Sequence, residues 1–81
     1  MLEALNDPDK RAVGTKQVIR AVEGGQAACV FLANDADAHI RQKIIAACRA
    51  AGVPVEEVQG MQELGKACRI QVGAAAACLL F

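Results

Sequence analysis

The chain has 81 residues and a formal net charge of zero, with 54% hydrophobic residues and two aromatics, Phe31 and Phe81. That length fits one small domain spanning residues 1–81, and the hydrophobic content excludes a disordered chain. No apolar run nears the roughly 20 residues of a membrane span, and MLEALNDPDKRAV lacks a basic-then-apolar leader, so the expectation is a soluble, cytoplasmic protein without a membrane partner.

Taken in chain order, residues 3–7 form a short helix that must stop before Pro8. Ala12 and Val13 end a strand, and Gly14 makes the turn into a helix from Thr15 to Glu23, closed by Gly24 and Gly25. Ala27–Ala33, AACVFLA, is a continuous apolar run of strand length, as expected of a strand covered on both faces. Asn34, Asp35, Ala36 and Asp37 supply turn and N-cap chemistry. The helix that follows, Asp37 to Ala51, lines Ile40, Ile44, Ala47, Cys48 and Ala51 along one face and ends at Gly52. A strand over Val53–Val58, a short helix over Met61–Cys68, the loop RIQVG and a last strand over Ala74–Phe81 complete the pattern. This alternation predicts an α/β fold: a three-layer α/β/α sandwich on a mixed, largely parallel sheet of about four strands.

Chemistry has few places to sit. There is no Ser or Tyr, and His39 is isolated in a first helical turn. Asp35 and Asp37 could bind a metal or act as an acid/base pair, but Asp between a strand and a helix is the ordinary N-cap solution. Neither G-x-G-x-x-G after a strand nor G-x-x-x-x-G-K-[ST] is present. Cys29, Cys48, Cys68 and Cys78 form no C-x-x-C pair and lie in apolar contexts. They read as buried thiols, with disulfides and metal as the alternatives. The expectation is therefore no enzyme, no metal and no cofactor.

What does stand out is Lys16 and Gln17 in the first turn of a helix, where the dipole opposes a cation. Either this is a solvated helix start, or backbone N–H groups and long side chains there meet an anionic partner. Lys10, Arg11, Lys16 and Arg20 fall in one stretch with no acid among them, which makes either a basic patch or a plain solvated face. Loops at one end of an open α/β sheet can converge. Here they would bring together amide and basic donors, Asp35, and the apolar pair Ile70 and Val72.

Three segments, VGTKQVIRAVEGG, VFLANDAD and LGKACRIQVGAAAACLLF, in this order and spacing, resemble a bacterial member of the kink-turn RNA-binding ribosomal protein family, the L-seven-Ae and L-thirty-e type. The resemblance covers nearly the whole chain. It implies binding of a kink-turn, a sharply bent RNA internal loop flanked by tandem sheared G·A pairs, in ribosomal RNA, a riboswitch or a similar RNA. By resemblance, Gly14 and Thr15 approach the phosphate backbone, Lys16 and Gln17 read guanine edges, and Arg20 meets phosphate. Asp35 orients a loop or touches a base. Ile70, Gln71 and Val72 meet an unstacked nucleotide, with Gly73 shaping their loop. The bacterial branch tends to carry the same Lys16–Gln17 pair, where archaeal and eukaryotic relatives usually have Asn and Glu. The family commonly has Gly where this chain has Arg69, a position expected to take a left-handed turn at a cost of about 1 kcal/mol, unless Arg69 adds a phosphate contact. Relatives of this fold also serve as protein–protein scaffolds or regulators, which is the competing reading, ahead of a small-ligand α/β protein. A monomer is expected.

Overall fold

The computed structural model describes residues 2–81. Two short 3-10 turns, Leu2–Asn6 and Pro8–Lys10, lead into strand β1 (Arg11–Val13). Helix α1 (Thr15–Glu23), β2 (Ala27–Ala33), α2 (Ala38–Ala51), β3 (Val55–Val58), α3 (Met61–Ala67) and β4 (Ala76–Leu80) follow in alternation. The elements agree with the sequence pattern to within one or two residues at most ends. Asp37 is the N-cap of α2, accepting from the His39 N–H at 2.8 Å, and His39 is exposed in the first turn. The last strand stops at Leu80, and Phe81 is 91% exposed.

The sheet is mixed and four-stranded, with spatial order β1-β4-β2-β3. β2 and β3 pair in parallel, joined by α2 as crossover. The expected largely parallel sheet needs correcting in one respect. β1, β2 and β3 do run the same way, but β4 runs against them and inserts between β1 and β2, so both of its pairings are antiparallel. Helical spacing between strands shows that a crossover exists, not where the last strand docks. Once β1 and β2 leave a strand-wide gap, a returning chain can satisfy the inner edges of both at once.

Side chains of β2 and β4 alternate between two apolar cores, and this makes the three layers. On one face Val30, Leu32, Ala76 and Cys78 meet Val18, Ala21 and Val22 of α1 and Ile44 and Cys48 of α2. On the other, Cys29, Phe31, Ala33 and Ala77 meet Leu5, Leu64 and Cys68. Both faces of β2 are buried, as its unbroken apolar run requires. The small side chains of β4, Ala76, Ala77 and Cys78, are fully buried and suit a strand wedged between two others under helices.

Arg11 serves the fold. Its Nη1 donates to the Leu5 carbonyl at 2.6 Å and to the Cys68 carbonyl, tying the first 3-10 turn and the end of α3 to β1. Arg41 works likewise on the far edge. It donates to the Ala33 carbonyl at 2.9 Å and grips the Glu57 carboxylate with two hydrogen bonds, at 2.9 and 3.0 Å, and this pairing raises the Arg41 pKa.

All four cysteines are free and buried. Burial is the leading cause that raises each thiol pKa. The native state thus keeps its thiol protons to higher pH than the unfolded chain. Above about pH 8.5 the unfolded chain binds fewer protons, so stability is intact below that pH and declines as pH rises through it. The urea midpoint is expected to fall between pH 7 and pH 10, and native thiols to resist iodoacetamide until urea is added. Rapid alkylation of the native protein would contradict the buried assignment.

Candidate nucleic-acid interface

One end of the sheet gathers the functional candidates, and two successive carbonyls of the segment entering β4 do the gathering. The Gly14 N–H, just past β1, donates to the Ala76 carbonyl at 3.0 Å. The Ala33 N–H, at the end of β2, donates to the Ala75 carbonyl at 2.9 Å. Successive carbonyls of an extended chain point to opposite sides, so β4 fastens one neighbour on each side. The tip of α1, the loop after β2 and the loop before β4 are thereby brought to the same end.

At the α1 tip, Gly14 has φ +101°, a value that side-chain-bearing residues rarely adopt. It is the helix N-cap and offers no side-chain acceptor, and its carbonyl takes the first intrahelical bond from the Val18 N–H at 2.9 Å. The N–H groups of Thr15, Lys16 and Gln17 therefore precede the helical ladder. Lys16, Gln17 and Arg20 are exposed and Thr15 is half-buried, while Val18, Ala21 and Val22 anchor the helix beneath. No acid sits in the first turn. The tip is thus a firmly seated, electropositive helix end that faces solvent.

The stretch of four cations does not form one patch. β1 carries Lys10 and Arg11 toward the other end of the sheet, where Arg11 pairs with Leu79 in register and Lys10 lines a concavity with Leu79 and Leu80. Lys16 and Arg20 remain at the α1 tip.

Asp35 does not cap the helix that follows it. Its Oδ1 accepts from the Met61 N–H at 2.8 Å, so it caps α3 from 26 residues away, while Asp37 takes the α2 cap. Met61 opens α3, and its own carbonyl accepts from the Ala74 N–H at 3.0 Å. Asp35 is thereby linked through one residue to the loop before β4.

That loop is fixed by close approach to α3. The Ile70 N–H donates to the Gly65 carbonyl at 3.1 Å. A Cβ on the buried Gly65 would overlap the Val72 carbonyl oxygen. A Cβ on Gly73 would lie 3.2 Å from the Met61 Cβ. Arg69 turns the chain into the loop with φ +58°, the left-handed conformation expected for that position. Held this way, Ile70 is half-buried, and Gln71, Val72 and Gly73 are exposed, Val72 at 71%. Lys66, which drew no notice in the sequence, lines two shallow concavities beside this loop. One holds Asp35, Gly60, Met61 and Gly73, and the other holds Gln62, Ile70, Gln71 and Val72. Its position one helical residue past Gly65 was visible, but the loop it borders was not.

All ten residues singled out in the sequence therefore lie on these three connectors or on α1. No group of three or more His, Cys, Asp or Glu that could hold a metal occurs among the described residues, and among them no helix is long and apolar enough to cross a membrane.

The family model described as "Ribosomal protein L7Ae/L30e/S12e/Gadd45 family" matches residues 1–80. The chain is 54% identical over 71 residues to a protein of Geobacillus thermodenitrificans named RNA-binding protein, covering 88% of this chain and 87% of that one. It is likewise 54% identical over 71 residues to RNA-binding protein YbxF of Geobacillus stearothermophilus, with the same coverage. Among solved structures, the Giardia lamblia 15.5kD RNA binding protein superposes with a TM-score of 0.90 at 26% identity, over 99% of this chain and 68% of that one.

Two substitutions test the architecture of this end. Gly65→Ala is expected to lower the unfolding free energy by about 1–3 kcal/mol, because backbone must move to admit the methyl group. Asp35→Ala is expected to cost about 1 kcal/mol as a lost helix cap, and Asp35→Asn, which keeps an Oδ1 acceptor, to recover most of it. Urea denaturation measures both, and an Asp35→Ala protein as stable as the parent would remove the cap from the account.

Proposed function

The chain belongs to the Ribosomal protein L7Ae/L30e/S12e/Gadd45 family, and we propose that it is a cytoplasmic, monomeric RNA-binding protein that recognises the kink-turn, in association with the ribosome. The observation that carries this reading is the exposed tip of α1. A glycine with φ +101°, unladdered N–H groups and the exposed pair Lys16 and Gln17 stand there, at the same end of the sheet as an exposed apolar loop. The relatives named RNA-binding proteins agree with it.

Regular A-form RNA hides its base edges in a deep, narrow major groove, so a helix tip can reach them only where the duplex is sharply bent. At such a bend the N–H groups and dipole of α1 face phosphate oxygens, and Gly14 presents no Cβ to obstruct the backbone approach. Lys16 donates to guanine O6 or N7. Gln17 hydrogen-bonds a second guanine edge. Arg20, one turn on, neutralises a phosphate. The helix dipole opposes Lys16 by only a few tenths of a kcal/mol in water, far less than the charge of an RNA strand returns.

On the opposite wall, Ile70 and Val72 provide an apolar surface for a nucleotide thrown out of the stack at the bend. Gln71 between them adds an amide without the negative charge a carboxylate would place beside RNA. Gly73 keeps the loop close to Met61, and Asp35 holds α3, and with it this loop, in position. Reading here is binding alone; none of these groups is asked to make or break a covalent bond.

A gel shift with a kink-turn and a straight duplex of equal length is expected to show tight binding to the bent RNA only. Equal affinity for both would refute specific recognition, and binding to neither would favour the protein-scaffold reading. Lys16→Ala is expected to weaken kink-turn binding by about 1–3 kcal/mol, the usual range for losing a good base contact, with an unchanged urea midpoint. Unaltered affinity would remove Lys16 from the interface.

A further inference from the structure

We infer that Lys66 and Arg69 form a second cationic contact, on the far side of the apolar loop from α1, that holds the phosphate backbone of the RNA strand leaving the bend. This rests on the proposed RNA-binding function and extends the footprint beyond the α1 tip, Asp35 and residues 70–73.

Three observations carry it. First, both side chains are exposed, and neither has an ion-pair or hydrogen-bond partner among the described residues. Second, the concavity that Lys66 shares with Gln62, Ile70, Gln71, Val72 and Gly73 contains no carboxylate. A cation, two amides and an apolar lip match a phosphodiester chain whose base lies on Ile70 and Val72. The neighbouring concavity does contain Asp35 and Glu63. The Asp35 carboxylate accepts from the Met61 N–H, and both carboxyl groups lie on that side, so the carboxylate-free groove is the one that favours an anion. Third, Arg69 is the only non-glycine residue with positive φ among the described residues. A left-handed conformation is disfavoured for a residue with a Cβ. Here it closes α3, with the Arg69 and Ile70 N–H groups donating to the Lys66 and Gly65 carbonyls, a turn that glycine would make without that cost. The arginine side chain displayed there has no hydrogen-bond or ion-pair partner among the described residues. The Arg69 N–H donates to the Lys66 carbonyl at 3.0 Å, which puts the two residues on one turn of backbone; Lys66 lines the groove itself, and Arg69 directly precedes its lining residue Ile70.

Lysine and arginine at a phosphate supply affinity without sequence information, and the salt dependence of binding counts them. Kink-turn and straight-duplex affinities are to be measured from 50 to 300 mM KCl for the parent, Lys66→Ala, Arg69→Gly and the double variant. Each substitution is expected to lower the slope of log K against log salt by about 0.7–0.9. Each is also expected to weaken kink-turn binding on the order of fivefold at low salt, with little loss of preference for bent over straight RNA, in contrast to Lys16→Ala. Arg69→Gly is also expected to melt higher than the parent while binding RNA less well. That opposite movement distinguishes a ligand contact from a structural role. A parent that binds the kink-turn with variants of unchanged slope would overturn this inference and leave the proposed function standing. A parent that binds no kink-turn would overturn both. A changed slope for Lys66→Ala alone would remove Arg69 from the contact and overturn the pairing.

Discussion

The geometry of the proposed interface depends on β4 running between β1 and β2. Its entering segment offers the Ala75 carbonyl to the end of β2 and the Ala76 carbonyl to the turn after β1. Those two bonds fix three connectors relative to one another. Without the insertion, the α1 tip and the loop at residues 69–75 would belong to separate parts of the molecule. With it, they flank one strand end, and a side chain on either can meet the same ligand. The cost is a strand covered on every side, and β4 meets it with Ala76, Ala77 and Cys78, residues small enough for helices to press on both faces of the sheet.

A second layer of constraint turns proximity into a shaped surface. The Asp35 carboxylate holds the start of α3, the Met61 carbonyl holds Ala74, and the buried Gly65 lets the Val72 backbone lie directly against the helix. Val72 is therefore exposed because its backbone is held, with its side chain displayed rather than collapsed inward. Surfaces ordered before the ligand arrives lose less conformational entropy on binding. This suits a protein of 81 residues with little contact area to spare. Two arginines brace backbone carbonyls at the ends of α3 and β2, Arg11 at the Cys68 carbonyl and Arg41 at the Ala33 carbonyl.

Local features of this arrangement were legible in the sequence. Gly14 before a helix, the two-faced strand AACVFLA and the N-cap at Asp37 are each decided by a few neighbouring residues, whereas the left-handed turn at Arg69 was expected from the family resemblance, which has Gly at that place. Alternation of strands and helices sufficed for three layers and a mixed four-stranded sheet. What depended on contacts between distant residues was not legible. The antiparallel docking of β4 is one case, since a crossover pattern leaves strand order open. Asp35 is another: next to a helix start it reads as that helix's cap, whereas it serves α3. Arg11, grouped with Lys16 by its place in the chain, is drawn away by the length of β1. Lys66 gains interest only once the loop at 70–73 folds against it. At the candidate site, residue identities were readable, and their roles in holding one another were not.

The claim that three connectors at one end of the sheet form a single RNA surface is tested most directly by following backbone amide chemical shifts while a kink-turn RNA is added. Perturbations are expected at residues 14–20, 34–37, 60–61 and 66–76 together, with residues 24–27, 52–53 and 79–81 at the opposite end unchanged. Perturbations that cluster at the opposite end, or that reach α1 while sparing the loop before β4, would contradict it.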